Sequence, residues 1–355
     1  MKILFESSIF LHQPIGGISK YICKINKIFQ KKNIRSVIYS PLSINDNLKF
    51  TKSSNINYFR FKKIPKFCTK LFYLINNFAT YFFIKLYKPD IIHFSYYNNF
   101  LSRFINIPFI LTVYDLISEK KNYKNNRFKK KELIQKASHI ICISNTTKKN
   151  LIKFYNVDIK KISVIYLGVE KNKKLKSDKK KYILFVGSRN KYKNFKNFII
   201  AYSQSNYLIK NYKVLCFGSK NFNLEEIQLI KKLKIENNVF FKSGNDKMLN
   251  NLYKNASLFI SPSKSEGFGL TPLEAMSFGC PIICSNIDIF RETLKNSCCY
   301  INPNSTNDIK KKMENILRSK QKQKIMIKKG LLKTKKYSWN KCAQETIEIY
   351  KKVLN

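Results

Sequence analysis

Short apolar runs that look like buried strands alternate with helix-like segments along nearly the whole of this 355-residue chain. This alternation is typical of parallel α/β sheets, in which each strand is followed by a crossover helix. The candidate strands of the first half are Ile3–Ser7, Ser36–Tyr39, Ile91–Phe94, Phe109–Tyr114, Ile140–Ser144 and Ser163–Tyr166. Those of the second half are Tyr182–Val186, Lys213–Phe217, Val239–Phe241, Leu258–Ile260, Pro281–Cys284 and Cys299–Ile301.

The two sets of strands predict two domains, each with its own core. Residues 171–180 are polar and almost free of apolar side chains, so we interpret them as a linker between a first domain, 1–170, and a second, 181–336. A last helix, capped by Ser338, is predicted within 337–355. Two Rossmann-like, doubly wound domains facing each other across a cleft are the expected assembly, with a ligand between their strand ends.

The net charge of +47 invites a nucleic-acid interpretation, which the distribution of basic residues disfavours. Nearly all of the basic residues are lysines, and they are scattered rather than grouped with arginines and stacking aromatics. Abundant Lys, Asn, Ile, Phe and Tyr are also what an AT-biased genome would encode. We therefore expect no nucleic-acid partner, and keep attraction to anionic lipid as an alternative.

Cysteine and histidine spacing predicts neither a metal site nor a disulfide framework. The nine cysteines form no Cys-x-x-Cys pair, and the three histidines lie far apart in the sequence. No stretch is long and apolar enough to suggest a spanning helix, and the N-terminus lacks the apolar core of a secretory signal. A cytoplasmic location is expected.

The segment Ser263–Met276 carries two carboxylates, Glu266 and Glu274, across a strand-to-helix turn. We expect the helix to begin with Thr271 as N-cap and Pro272 as its first residue. Glu266 then lies at the carboxyl end of a strand, and Glu274 lies on the first helical turn, where it can accept hydroxyl hydrogen bonds. Gly267 and Gly269 bring backbone N–H groups close to an anion. This combination suits a sugar nucleotide; an ordinary glycine turn is the alternative.

A second glycine turn, Phe185–Phe195, leads from a strand into a helix and carries Arg189 and Lys193. A guanidinium can hold two phosphate oxygens at once, whereas an ammonium supplies a compact charge. Fixed cations after a glycine turn suit a diphosphate whose charge grows as the leaving group departs. Surface residues without a ligand are the alternative in a chain so rich in lysine.

The segment around Glu266 and Glu274 closely resembles the Glu-x7-Glu motif of retaining nucleotide-sugar glycosyltransferases of the family 4 type, the group 1 glycosyltransferases with the GT-B fold. The resemblance implies that Glu274 holds the ribose and that Glu266 lies beside the transferred sugar. It implies catalytic roles for Glu266, Lys193 and Arg189, with the two cations replacing a metal ion. Many family members carry arginine directly after the glycine, where this chain has Ser188. The donor contacts implied are Gly187, Ser188, Arg189, Lys193, Asn194, Glu266, Gly267, Phe268, Gly269, Leu270, Thr271 and Glu274.

The resemblance also places the acceptor on the first domain. The Gly16–Gly17 turn is similar to the family's Gly-Gly-Ile-x-x-Tyr loop, although a plain turn is an alternative. Tyr114 stands where the family often has a histidine before Asp115; a phenol can donate a hydrogen bond there but does not titrate near neutrality. His93, on a neighbouring strand, is more typical of a histidine satisfied by hydrogen bonds than of a ligand. The last helix resembles one that crosses back to the first domain.

The implied activity is retaining, metal-independent hexosyl transfer from a UDP-, GDP- or ADP-sugar to a hydroxyl of a glycan or lipid-linked acceptor, in cell-surface polysaccharide or lipopolysaccharide synthesis. No cofactor beyond the nucleotide sugar is expected. The alternatives are a sugar-nucleotide epimerase on the same frame and a non-catalytic protein that binds anions or lipids.

The most aromatic segment, Lys66–Lys85, has apolar residues that almost encircle a predicted helix, with lysines at both ends. One interpretation is a helix packed on the first domain's sheet. The other is an interfacial helix whose lysines lie among lipid headgroups, which would make the protein peripheral on the inner face of a membrane.

Overall fold

The computed structural model describes residues 1–50, 59–120, 127–170, 179–189 and 191–355. The chain forms two compact units: unit 1 comprises Met1–Gly168 and Ser338–Asn355, and unit 2 comprises Val169–Tyr337. The predicted linker, 171–180, lies outside the described residues apart from its last two positions. Unit 1 therefore takes in the last segment of the chain.

Unit 1 is built on a parallel sheet of six strands with the order β2-β1-β5-β6-β7-β8. Its strands are β1 Lys2–Phe5, β2 Arg35–Ile38, β5 Ile91–Phe94, β6 Phe109–Val113, β7 His139–Cys142 and β8 Ile162–Val164. A separate parallel pair, β3 Leu42–Ser43 and β4 Phe59–Arg60, accompanies it. The helices are α1 Ser8–His12, α2 Gly17–Lys31, α3 Thr69–Tyr87, α4 Leu101–Phe104, α5 Ile117–Lys120, α6 Arg127–Lys136, α7 Asn145–Tyr155 and, from the end of the chain, α16 Trp339–Leu354.

Unit 2 repeats the design with a parallel sheet of order β11-β10-β9-β12-β13-β14. Its strands are β9 Lys180–Val186, β10 Lys213–Phe217, β11 Val239–Lys242, β12 Ala256–Ser261, β13 Ile282–Ser285 and β14 Cys299–Ile301. Its helices are α8 Phe195–Ser203, α9 Asn206–Asn211, α10 Leu224–Lys232, α11 Asp246–Asn255, α12 Leu270–Ser277, α13 Asp288–Leu294, α14 Thr306–Arg318 and α15 Lys320–Thr334.

The central strands are buried along their whole length, as expected when helices cover both faces of a parallel sheet. All residues of β5, β6, β12 and β13 are buried, which explains why these strands read as continuous apolar runs. Each unit has its own apolar cluster on its own sheet. The predicted α/β class with two doubly wound units is confirmed.

Helix α16 closes the core of unit 1. Its Trp339 is buried and lies 6.4 Å from the Tyr21 ring, centroid to centroid. Tyr350 is fully buried and its hydroxyl meets Nδ1 of His93, whose Nε2 lies 2.7 Å from the Thr112 hydroxyl. His93 is thus satisfied on both ring nitrogens, and it ties the end of the chain to the centre of the first sheet.

Every predicted strand is present, and no bound differs from the prediction by more than two residues. The β3–β4 pair was not predicted, because a two-residue strand leaves no periodicity to detect. Within the described ranges, no helix combines the length and the apolar character needed to cross a bilayer.

Candidate functional site

The loops after β9 and β12 meet at the point where the strand order of unit 2 reverses. Strand β9 has β10 on one side and β12 on the other, and crevices beyond the strand ends at such switch points are the usual ligand sites of open α/β sheets. A backbone hydrogen bond of 2.7 Å from Lys264 N–H to the Tyr192 carbonyl joins the two loops. The two motifs singled out in the sequence are therefore neighbours in space.

Lys193 and Glu266 form the central pair of this crevice. The Lys193 ammonium donates to Glu266 Oε1 at 2.6 Å, although 73 positions separate the two residues in the sequence. Their side chains are 18% and 14% exposed, respectively. A cation and a carboxylate that are desolvated only in part remain accessible to a polar ligand. The structure thus brings together two of the predicted site residues.

Glu274 lies on α12 and is buried, with 7% of its surface exposed. The Tyr253 hydroxyl on α11 lies 3.3 Å from Glu274 Oε2. Burial, followed by the neighbouring Glu274 carboxylate, raises the pKa of Tyr253 well above its usual value. Tyr253 therefore stays neutral and can orient the carboxylate by donating to it.

The predicted start of α12 is wrong. The helix begins at Leu270, and its N-cap is Gly269 with φ of 85°, so Thr271 and Pro272 lie inside the first turn. Glu274 consequently lies on the second turn rather than the first. Glycine adopts a left-handed conformation at low energetic cost, so Gly269 can serve as the N-cap. The usual preference for threonine at the N-cap therefore did not identify the start of this helix. Phe268, just before it, is buried against the Tyr337 ring.

Arg189 departs from the expected phosphate-facing position. Its side chain is only 5% exposed; its Nε donates to Glu226 at 2.9 Å, and its Nη2 donates to the Lys220 and Asn221 carbonyls. The guanidinium carbon lies 4.9 Å from the Phe222 ring centroid and 5.4 Å from that of Phe241. A planar cation that stacks on rings and fits a carboxylate is favoured in such a cage. Arg189 anchors the loop after β10 instead of presenting its charge.

Of the remaining residues of the glycine turn, one is buried and holds neighbouring segments together, and another is exposed. The Asn194 side chain is buried, and its amide donates to the Pro262 and Pro303 carbonyls at 3.0 and 2.7 Å, which corrects its expected role as a ligand contact. Ser188 is exposed. Gly187 has φ of 117°, a conformation that side chains rarely adopt.

The residues expected on the acceptor side belong to unit 1. Gly16 is the extended N-cap of α2 and Gly17 its first residue, at the surface. Tyr114 is buried edge-on against Tyr21, and its hydroxyl has no hydrogen-bond partner among the residues that the structure describes. Burial raises the pKa of Tyr114 well above the usual range, so the phenol stays neutral. Asp115 accepts from the Ile117 N–H at 3.2 Å.

Sequence analysis did not single out Glu6, a fully buried carboxylate directly after β1. Glu6 is fully buried and accepts hydrogen bonds from Ser8, Ser95 and Asn98. Burial raises its pKa despite these donors. A carboxylate directly after a buried strand was the available signal.

Among the described residues, no group of three or more His, Cys, Asp or Glu side chains is arranged to hold a metal ion.

Comparison with known proteins identifies relatives of both halves of the chain. Residues 15–173 match the model of "Glycosyltransferase Family 4", and residues 169–332 match that of "Glycosyl transferases group 1". The chain is 34% identical to the O-antigen chain mannosyltransferase RfbU of Salmonella typhimurium over 195 residues, 54% of each chain. It is 25% identical to O-antigen chain mannosyltransferase B of Escherichia coli over 236 residues, 62% of each. The matches thus span 54% and 62% of the length of these relatives.

A solved structure, Anabaena HepE in complex with UDP-glucose, superposes with a TM-score of 0.80 at 16% identity and covers 99% of this chain and 100% of the other. This likeness extends the fold over the whole chain. Two family models that together account for nearly all of it, and the Glu266–Glu274 motif at the switch point of unit 2, place the chain among the group 1 glycosyltransferases.

Proposed function

We propose that the protein transfers a hexosyl group from a nucleotide sugar to a hydroxyl of a glycan or lipid-linked acceptor, with retention at the anomeric carbon. The observation that carries this proposal is the Lys193–Glu266 pair in the switch-point crevice of unit 2, with Glu274 on the helix that follows. The acceptor binds to unit 1, which carries Gly16 and Gly17 at the start of α2.

The ribose, the diphosphate and the sugar of the bound nucleotide sugar each have a matching residue in this arrangement. Glu274, oriented by Tyr253, accepts from the ribose hydroxyls. The Lys193 ammonium binds the diphosphate, which competes with Glu266 for it; the released carboxylate then accepts from the sugar hydroxyls. The first-turn N–H groups of α12, at Leu270 and Thr271, supply donors and the positive end of the helix dipole.

In this proposal, Lys193 supplies the positive charge that stabilises the departing diphosphate. The leaving phosphate accepts the acceptor's proton on the same face of the sugar, so no side chain is needed as a general base. Because Lys193 supplies the positive charge at the diphosphate, the reaction is proposed to be metal-independent. Arg189 contributes indirectly, by fixing the loop after β10 beside the glycine turn.

The relatives support the substrate classes. Two of them are O-antigen chain mannosyltransferases, which suggests lipopolysaccharide or polysaccharide synthesis, and HepE binds UDP-glucose. Ribose and sugar hydroxyls are common to many nucleotide sugars, so carboxylates that accept hydrogen bonds from them do not select one base or sugar. We therefore propose a UDP-, GDP- or ADP-sugar as the donor. A thermal-shift panel of these nucleotide sugars tests the proposal, since a ligand that binds the folded state raises the melting temperature. No shift with any of them would contradict it.

The partner surface that we propose is an anionic membrane, contacted through α3. This helix buries Asn76, Asn77, Thr80 and Ile84 against the rest of unit 1, packs Phe83 and Tyr87 on the core, and exposes six apolar side chains. The exposed residues are Leu71, Leu74, Ile75, Phe78, Phe82 and Leu86. Their spacing of three or four residues places them on one stripe of the helix.

Exposed lysines lie on α3 and in the segments that precede and follow it: Lys62, Lys63, Lys70, Lys85 and Lys88. An outward apolar stripe flanked by lysines suits the interface of a bilayer that contains anionic lipid. Three of the four buried residues of α3 are polar, and six of its apolar residues are exposed, so we favour the interfacial interpretation of this segment. The protein is accordingly proposed to work as a peripheral enzyme on the cytoplasmic face of a membrane.

A further inference from the structure

A recess of about 480 Å³ lies on one face of the unit 2 sheet, over strands β9, β10 and β11. Tyr182 pairs with Lys213, and Leu215 pairs with Phe240, across neighbouring strands. Paired residues share a face of the sheet, as do residues two apart on one strand, so these four side chains lie on the same face. All four line the recess, whose volume is within the range of small-molecule sites, about 300–1,000 Å³.

Part of this sheet face is open to solvent. Phe240 is 45% exposed, whereas Val239, which faces the other way, is 7% exposed and packs in the apolar cluster of unit 2. Helix α11 packs on β9 and β12 and borders the recess with Leu252. Parallel sheets usually carry helices on both faces, so the open part over β10 and β11 offers room for a ligand. Because β11 is the edge strand, an extended ligand can continue beyond the recess.

The recess carries positive charge that the protein does not balance. Among the residues that the structure describes, no carboxylate lines it, and four exposed lysines do: Lys180, Lys181, Lys213 and Lys242. Within the described ranges none of these lysines forms an ion pair; the Lys213 ammonium donates to the neutral Asn237 carbonyl at 3.0 Å. Apolar and aromatic walls with unbalanced cations suit an anion, and they repel a second copy of a chain whose net charge is +47.

The cations are spread over three neighbouring strands rather than gathered at one point. Lys180 lies on β9, Lys213 on β10 and Lys242 on β11. Neighbouring strands are about 4.8 Å apart, so the backbone positions of these lysines span about 10 Å across the sheet. One phosphate or carboxylate cannot contact all three, whereas a chain with an anionic group on successive units can. The exposed ring of Phe240 adds a flat surface for the C–H face of a sugar.

We propose that the recess binds an acidic segment of a glycan, with carboxylates on successive sugars, at a site separate from the donor crevice. The recess includes the first residues of β9 and β10, whereas Lys193 and Glu266 lie on the loops that follow β9 and β12. This inference rests on the proposed transfer to a glycan and deepens it: the glycan that the enzyme extends carries acidic sugars, and unit 2 holds them apart from the nucleotide sugar.

The test compares two probes that differ only in charge. Calorimetric titration of the full chain at low salt with α-1,4-trigalacturonic acid and with its trimethyl ester should show single-site binding that is at least roughly tenfold tighter for the acid. The double variant Lys213→Gln/Lys242→Gln should weaken acid binding at least roughly fivefold. Phe240→Ser, at an exposed position, should weaken it as well. The control, Lys231→Gln/Lys232→Gln, removes the same charge from exposed positions on α10, outside the recess, and should bind as the wild type does.

Equal affinity for the acid and the ester would overturn the assignment to an anionic glycan, and absence of binding would overturn the site. Equal losses in the two lysine variants would show attraction by net charge alone and would overturn the recess as its location. If neither probe binds and Lys213→Gln/Lys242→Gln instead loses binding to vesicles of anionic lipid, the recess contacts lipid and not a glycan.

The nucleotide-sugar panel is measured on the same samples. A chain that binds trigalacturonic acid in the recess but binds no nucleotide sugar would contradict the proposed transfer rather than the recess. A chain that binds a nucleotide sugar but neither probe would contradict the recess alone.

Discussion

Arg189 and Lys193 are four positions apart, yet the structure gives them different surroundings. Arg189 is enclosed by Glu226, two carbonyls and aromatic rings, whereas Lys193 reaches Glu266 in the crevice. Spacing alone could indicate that cations follow the glycine turn, but it could not tell which one is exposed. That choice depends on Phe222 and Phe241, whose rings come from distant segments and suit a planar guanidinium.

His93 makes the stability of unit 1 sensitive to acid. Burial lowers its pKa to about 3, whereas the unfolded chain has the ordinary value near 6.5. Between these values the unfolded state binds a proton that the folded state does not, so the stabilisation is complete above about pH 6.5 and falls as the pH decreases. We expect the loss in free energy of unfolding between pH 6.5 and 4.5 to be about 2 kcal/mol smaller in His93→Gln than in the wild type.

Denaturant titrations at several pH values measure this difference. His93→Gln also loses hydrogen bonds to Tyr350 and Thr112, so its stability at neutral pH should be lower; the pH slope is the diagnostic quantity. Parallel pH profiles for the two proteins would contradict the assignment.

Turn geometry at the element scale yields a matched pair of glycine substitutions. Gly269 and Gly187 both have positive φ, at 85° and 117°. A Cβ at Gly269 would lie 2.8 Å from the Phe290 ring, whereas one at Gly187 would meet nothing within 4 Å. Gly187→Ala should therefore cost backbone strain alone, about 1–3 kcal/mol, and Gly269→Ala should cost more because α12 or α13 must shift.

Thermal and denaturant unfolding of the two variants measure the difference, and Gly269→Ala should also weaken nucleotide-sugar binding, because it displaces the start of α12. Equal destabilisation by the two substitutions would argue against the close packing of α12 on Phe290.

The elements show what local patterns can and cannot predict. The strands were found because burial on both sheet faces leaves apolar runs that need no tertiary information. The start of α12 was misplaced because Thr271-Pro272 satisfies the local preferences. The helix instead begins after a left-handed glycine, Gly269, where a side chain would meet the Phe290 ring. The sequence did not decide whether the apolar residues of α3 face the protein or its surroundings. Periodicity identifies a helical face but not what covers it.

At the scale of the whole molecule, charge and shape predict membrane association. The net charge of +47 draws the protein to anionic surfaces, and the α3 stripe adds apolar contact. Cosedimentation with vesicles containing anionic lipid should show binding at low salt that weakens as salt rises. Phe82→Ser should reduce the affinity roughly tenfold, since a buried phenylalanine contributes about 1.5–3 kcal/mol.

Leu332→Ser, on α15 of unit 2, is the control and should bind as the wild type does. If the wild type fails to bind vesicles at low salt, or if Phe82→Ser binds equally well, α3 is not the contact surface.

The central claim is that the crevice joining Lys193, Glu266 and Glu274 grips one nucleotide sugar. The most direct measurement is the turnover of whichever donor the thermal-shift panel identifies, by Lys193→Ala, Glu274→Ala and the control Lys196→Ala, which removes an exposed lysine from the same helix start. Each of the first two variants should fold and lose at least roughly a hundredfold in turnover, the scale of losing one charge-stabilising donor, while Lys196→Ala should match the wild type. Near-normal turnover in a folded Lys193→Ala or Glu274→Ala protein would contradict the account.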